Sequence, residues 1–166
     1  MIYDVAIKRR GISALFDLKG KAEDFAPVLS TLGLAFPETA NTSARAGERE
    51  LYWIGVDHWL LRAPLEEEQD LEEIFDKAPE AENASIVPIS DTLALFEVSG
   101  PDAQQILAIA SPLDCHPSVF PENGVTYTEA FGLKALVIRR DSGFELAVDQ
   151  SFGPMVADYL DRATAA

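Results

Sequence analysis

Cysteine is almost missing from this chain. Of 166 residues only Cys115 carries a thiol, which excludes an internal disulfide and a thiolate metal cluster. Histidine is nearly as scarce, and His58 and His116 are too few for a histidine-rich metal site. Bases are short too. Thirteen Lys and Arg stand against 28 Asp and Glu, a net charge of −15. Phosphate-rich partners need clustered positive charge, so this balance argues against a nucleic-acid surface and against an anionic membrane. No apolar run approaches the roughly 18–20 residues of a membrane span. The N-terminus sets its charges after a short apolar stretch, whereas a secretory leader sets them before it. The cytoplasm is therefore the expected compartment. Gly-x-Gly-x-x-Gly, Gly-x-Ser-x-Gly and His-Glu-x-x-His do not occur.

What is present is a folding composition. Hydrophobic residues make up 48% of the chain, enough to build a core without covalent staples. The charge is unevenly placed. Residues 64–84 hold nine acids (Glu66, Glu67, Glu68, Asp70, Glu72, Glu73, Asp76, Glu80, Glu82) against Lys77, a net of −8. Leu71, Ile74, Phe75 and Ala78 recur there at helical spacing, so the acids read as the solvated face of a helix over 66–78, ended by Pro79. The run lacks the glycine and the alternating ligands of a calcium loop. Residues 1–21 are locally basic, with a net of +3.

Periodicity and turn residues set the order of elements. A strand over 12–19 ends at Gly20. A helix over 21–32 has Glu23 and Asp24 in its first turn and Gly33 after it. Residues 37–49 read as a polar loop. Strands over 51–54 and 59–62 pair around Gly55-Val56-Asp57. The acidic helix and strands over 85–89 and 92–98 follow. Ser99-Gly100-Pro101-Asp102 then opens a helix to Ala110, with Ser99 as a candidate cap. Residues 111–124 form a proline-rich loop. Strands over 126–130, 134–139 and 144–148 precede a final helix over 151–163, with Pro154 in its first turn.

The order suggests one unit used twice. Phe16-Asp17-Leu18-Lys19-Gly20 aligns with Phe96-Glu97-Val98-Ser99-Gly100 at an offset of 80. Trp59, Leu61, Leu71, Phe75, Asp76, Lys77 and Ala78 align with Phe144, Leu146, Val156, Leu160, Asp161, Arg162 and Ala163 at an offset of 85. The chain thus reads as α+β: one domain over 1–166, internally duplicated at about 12–90 and 91–166. Its two βαββα units in tandem are of the ferredoxin-like, split βαβ kind. The second unit lacks a last strand, which Ile2–Ile7 would supply from the N-terminus.

Candidate chemistry is thin. Cys115 and His116 are adjacent, but neighbours rarely present side chains as a nucleophile and its base. They read as loop residues, with Asp114 accepting loop N–H groups or pairing with His116. Trp53, His58 and Trp59 suggest an aromatic cage or, in their strands, core packing. Ser99–Asp102 opens a helix where an anion could dock, yet it has one glycine and no Lys. Nothing here forms an independent catalytic site.

Several ordered pieces do carry a resemblance. Asn41-Thr42-Ser43-Ala44-Arg45-Ala46-Gly47 comes first, then the hairpin Trp53-Ile54-Gly55-Val56-Asp57-His58-Trp59-Leu60-Leu61. Ile89-Ser90-Asp91, Ser99-Gly100-Pro101-Asp102-Ala103, and Pro112-Leu113-Asp114-Cys115-His116-Pro117 with Phe120-Pro121 follow. Phe144-Glu145-Leu146-Ala147-Val148 and Ser151-Phe152 close the set. From about Arg9 to Ala163 the chain resembles the gamma subunits of bacterial heterotetrameric sarcosine oxidases. It departs from that family at His58, where Glu is usual, and at Cys115, where an aliphatic residue is usual.

The resemblance implies a fold related to the folate-binding domain of the glycine-cleavage aminomethyltransferase. It also implies a noncatalytic assembly subunit with alpha, beta and delta partners, alpha most directly. FAD, FMN, NAD, tetrahydrofolate and zinc would then sit on those partners, where sarcosine is oxidised and its one-carbon unit passes to tetrahydrofolate. Asn41, Arg45, Gly47, Trp53, Gly55, Trp59, Ser99, Gly100, Pro112, Asp114, His116, Phe120 and Phe144 are the motif residues, structural or interfacial. Arg45, Arg49 and loop 111–124 are the expected interface anchors, unless the arginines only neutralise Glu48 and Glu50. Two alternatives stand beside this reading. One is a stand-alone folate-binding or carbon-transfer protein. The other is a gamma-type subunit serving another N-methyl amine, such as N-methylglutamate or dimethylglycine.

Overall fold

Strand pairing divides the chain into two compact units, Ser13–Ser90 and Met1–Ile12 with Asp91–Ala166. The computed structural model describes residues 3–78 and 83–165. In chain order the elements are β1 (Ala6–Arg9), β2 (Ala14–Lys19), α1 (Ala22–Thr31), β3 (Ser43–Ala46), β4 (Arg49–Gly55), β5 (His58–Ala63), α2 (Glu68–Asp76), β6 (Ser85–Pro88), β7 (Leu93–Ser99), α3 (Ala103–Ala110), β8 (Val125–Ala130), β9 (Leu133–Arg140), β10 (Gly143–Asp149) and α4 (Gly153–Thr164). Short 3-10 turns, Leu65–Glu67 and Gln150–Phe152, lead into α2 and α4. No described helix is long and apolar enough to cross a membrane.

The unit Ser13–Ser90 is an antiparallel sheet in the order β3-β4-β5-β2-β6. Alternation along each strand decides what it buries. Ala14, Phe16 and Leu18 of β2, Leu51 of β4, and Trp59, Leu61 and Ala63 of β5 share one face. Phe25, Val28, Leu29 and Leu32 from α1 and its end, and Leu71 of α2, close over that face. Each large side chain fully buried this way stabilises the unit by roughly 1.5–3 kcal/mol. The order β6-β2-β5-β4 is the expected split βαβ arrangement. One expectation fails here: residues 37–49 are not all loop, because Ser43–Ala46 forms β3 on the edge of the sheet. Ala44 sits opposite Leu51 in register, and small residues suffice on a short edge strand.

The second unit repeats this topology as β1-β7-β10-β9-β8. Its core joins Phe96, Val98, Val137, Phe144 and Leu146 to Ile106 and Leu107 of α3 and Val156 and Leu160 of α4. The first strand of the chain does complete this sheet: β1 pairs antiparallel with β7, Ile7 opposite Val98. Of the strand expected over 2–7 only Ala6 and Ile7 fall in β1; residues 3–5 are not strand, and Ile2 lies outside the described residues. The registers of the two units correspond. Leu18 faces Trp59 in one and Val98 faces Phe144 in the other, positions 80 and 85 residues apart.

Two helix starts differ from expectation. Ser99 is the last residue of β7 and caps nothing. Gly100, at φ +125°, turns the chain away, and α3 starts only at Ala103, with Asp102 in the cap position. The acidic helix begins as a 3-10 turn and becomes α-helical at Glu68. Its expected stop, Pro79, lies outside the described residues, as do Glu80 and Glu82.

Candidate functional site

The proline-rich loop 111–124 is built by β9. Alternation puts Arg139 on the same pleat as Ala135 and Val137, which are buried in the core. Arg139 therefore starts on the core side and needs polar partners. It finds them in the loop: Nη1 donates to the carbonyls of Cys115 at 2.8 Å and Phe120 at 3.0 Å. Its guanidinium lies over the Phe144 ring, 5.3 Å from the centroid. Arg139 was not among the sequence candidates. The legible signal was an arginine on the core-facing alternation of an apolar strand.

Around this clamp the loop braces itself. Asp114 accepts the His116 N–H at 2.9 Å, and Nδ1 of His116 pairs with Ser118 Oγ at 2.7 Å. The N–H groups of Val119 and Phe120 both donate to the His116 carbonyl at 2.9 Å. Phe120 and Cys115 are buried in the core, while Pro112, Asp114 and His116 are exposed. The Cys115 thiol donates to the Leu113 carbonyl at 3.5 Å, not to His116. Burial pushes its pKa up, and the Arg139 charge only partly opposes this. A thiol held protonated is a packing group, not a nucleophile.

Beside the loop lies a cleft of about 640 Å³, lined by Gly100, Ala103 and Gln104 at the start of α3, by Glu122, and by Arg139–Phe144 at the β9–β10 turn. Arg140 is tied to buried Glu145, with Nη2 at 2.6 Å from Oε2. The Asp102 carboxylate already accepts the Asp4 N–H at 2.7 Å at the mouth of α3. Of the motif residues, Gly100 and Phe144 line the cleft and Ser99 adjoins it.

The remaining motif residues fall in the unit Ser13–Ser90. Asn41 and Gly47 take left-handed turns at φ +59° and +63°. Trp53 donates its indole N–H to the Gly55 carbonyl at 2.9 Å. Trp59 is buried between Phe25 and Phe36, edge to face, with Trp53 beside it, and among the described residues its indole N–H has no acceptor. These are packing aromatics rather than a cage. His58 pairs through Nε2 with Asp17. Arg45 pairs with Glu50 at 2.7 Å, as one expectation had it. Arg49 does not pair with Glu48. Its Nε meets Glu67 at 2.7 Å and its Nη1 donates to the Leu32 carbonyl at 3.2 Å. No group of His, Cys, Asp and Glu suited to a metal ion occurs among the described residues.

The geometry defines a class first: an α+β chain of two five-stranded units sharing the aminomethyltransferase fold. The glycine cleavage system aminomethyltransferase T from Bartonella henselae matches 95% of this chain and 45% of its own, with a TM-score of 0.71 at 16% identity. A chain of the heterotetrameric sarcosine oxidase from Corynebacterium sp. U-96, solved in complex with pyrrole 2-carboxylate, matches 97% of this chain and 84% of its own, with a TM-score of 0.88 at 20% identity. In sequence, residues 19–166 match the sarcosine oxidase, gamma subunit family, and the chain belongs to that family. A sarcosine oxidase subunit gamma from Arthrobacter sp is 29% identical over 115 residues, 69% of this chain. The match spans 56% of that relative's length.

Proposed function

We propose that this chain acts in the cytoplasm as the gamma subunit of a heterotetrameric, flavin-dependent sarcosine oxidase, and that its part is assembly rather than chemistry. The observation that carries this is the family match over residues 19–166. In this reading alpha, beta and delta subunits are the partners, alpha most directly. FAD, FMN, NAD, tetrahydrofolate and zinc belong to them. The braced loop 111–124 and its motif residues Pro112, Asp114, His116 and Phe120 serve as contact surface and its support. The corresponding registers support an origin of the two units by duplication.

Pull-down of the tagged chain from its native extract tests the reading. A yellow complex with a large and a medium flavoprotein subunit is expected. A colourless lone chain, from cells that express those subunits, would reject it. The fold likeness to an aminomethyltransferase motivates a second reading, a folate-binding protein that acts alone. Titration with tetrahydrofolate decides it: binding tighter than about millimolar by the isolated chain favours this second role.

A further inference from the structure

We propose that the cleft beside loop 111–124 receives an extended segment of a partner subunit, whose carboxylate seats on Arg139 while a neighbouring basic side chain faces Glu122 and Asp141. This rests on the assembly role proposed above and gives it a location.

Three observations carry the inference. The first is the state of Arg139. Its Nη1 is engaged by two loop carbonyls, and its guanidinium carbon lies 5.3 Å from the Phe144 ring centroid. Among the described residues nothing accepts from Nε or Nη2, and no carboxylate lies within ion-pair distance. A guanidinium anchored through Nη1, with Nε and Nη2 unengaged, still has donors for a carboxylate. The second is the opposite charge nearby. Exposed Glu122 and Asp141 also line the cleft, and neither makes an ion pair or side-chain hydrogen bond among the described residues. A simple anion would meet their repulsion, whereas a segment carrying both signs satisfies all three groups. The third is size and order. About 640 Å³ exceeds what a single amino acid fills and suits several residues of extended chain. The loop is already braced by the Asp114, His116 and Arg139 bonds, which lowers the ordering entropy that docking must overcome. Long ordered loops of this kind, at or beyond about 12–15 residues, are usually functional.

The test uses the assembled complex, with partners co-expressed and purified through a tag on this chain. One variant carries Glu122→Lys with Asp141→Lys. These residues are exposed and outside the core, so the fold is kept, and a thermal melt checks that. A control carries Glu66→Lys with Glu73→Lys, the same charge change on exposed residues of the acidic segment 66–76. A third variant is Arg139→Gln. The cleft variant is expected to bind the flavoprotein subunits roughly tenfold or more weakly, with an altered salt dependence. The control should bind like wild type. Arg139→Gln should lose binding by a similar or larger factor. Wild-type binding by the cleft variant, or equal weakening by the control, overturns the cleft and leaves the assembly role standing. A wild-type chain that holds no partner overturns both.

Discussion

Each unit fastens its first helix-to-strand connection with an arginine, and the two arginines end up in different electrical states. In Ser13–Ser90, Arg49 at the start of β4 donates to the Leu32 carbonyl at 3.2 Å and pairs with Glu67 at 2.7 Å. In the other unit, Arg139 near the end of β9 donates to the carbonyls of Cys115 and Phe120. No carboxylate neutralises it among the described residues. Both connections also send apolar side chains into their cores, Leu34 and Phe36 in one, Cys115 and Phe120 in the other. The topology and register are shared, so the difference lies in what each connection leaves unsatisfied. In the first unit the arginine is neutralised by a carboxylate of the same unit. The second leaves Arg139, with Nη1 bound to two loop carbonyls and no carboxylate partner among the described residues, in the lining of a cleft.

The comparison breaks hardest at the paired core positions. Trp59→Ala and Phe144→Ala remove equivalent buried rings and are each expected to cost about 3–5 kcal/mol in chemical denaturation. Equal losses support equivalent cores. A much smaller loss at one would show that unit to be loosely packed.

Next come the glycines that leave β2 and β7. A Cβ on Gly20 would lie 2.7 Å from the Ala84 Cβ, and one on Gly100 would lie 2.6 Å from the Asp4 carbonyl oxygen. Both residues have positive φ, +144° and +125°. Gly20→Ala and Gly100→Ala should each cost roughly 1–3 kcal/mol, read as a lowered melting temperature.

The arginines sharpen the contrast. Arg139→Gln leaves two carbonyls without their donor and should cost about 1–3 kcal/mol. Amide exchange should speed up across 115–120. Arg49→Gln removes a partly exposed ion pair and one weak hydrogen bond, and should cost under about 1 kcal/mol.

The smallest effect is at Cys115. Burial raises its folded pKa above the ordinary thiol value. Below the ordinary value the thiol is protonated in both folded and unfolded chains, and its stabilising contribution is fully present. That contribution is lost as pH rises through the folded pKa. Denaturation midpoints should therefore fall on going from neutral pH to about pH 10, and Cys115→Ala should flatten part of that slope. An unchanged slope would place the titrating group elsewhere.

Much of the fold was legible in the sequence because alternation and turn glycines agreed. Phe16, Leu18, Trp59 and Leu61 lie in the expected strands, and Gly20 and Gly33 read as exits from a strand and a helix. Edge strand β3 was not legible, since Ser43–Ala46 has small and polar residues with no period-two apolar signal. Ser99 read as a cap because Ser before Gly-Pro suggests one, but the positive φ of Gly100 delays the helix by a turn. The candidate site was half legible. Pro112, Asp114, His116 and Phe120 stood out as a motif, whereas Arg139 lies far along the chain and acts through carbonyls that no motif encodes. Arg45 and Arg49 carried the right residue type for an anchor, and Glu50 and Glu67 already occupy them.

The assembly role is tested most directly by native mass spectrometry of material purified through a tag on this chain from its own cells. The expected result is a flavin-containing particle in which this 18.1 kDa chain is joined to alpha, beta and delta subunits. A chain recovered alone or only with copies of itself, from cells that make those subunits, would contradict it.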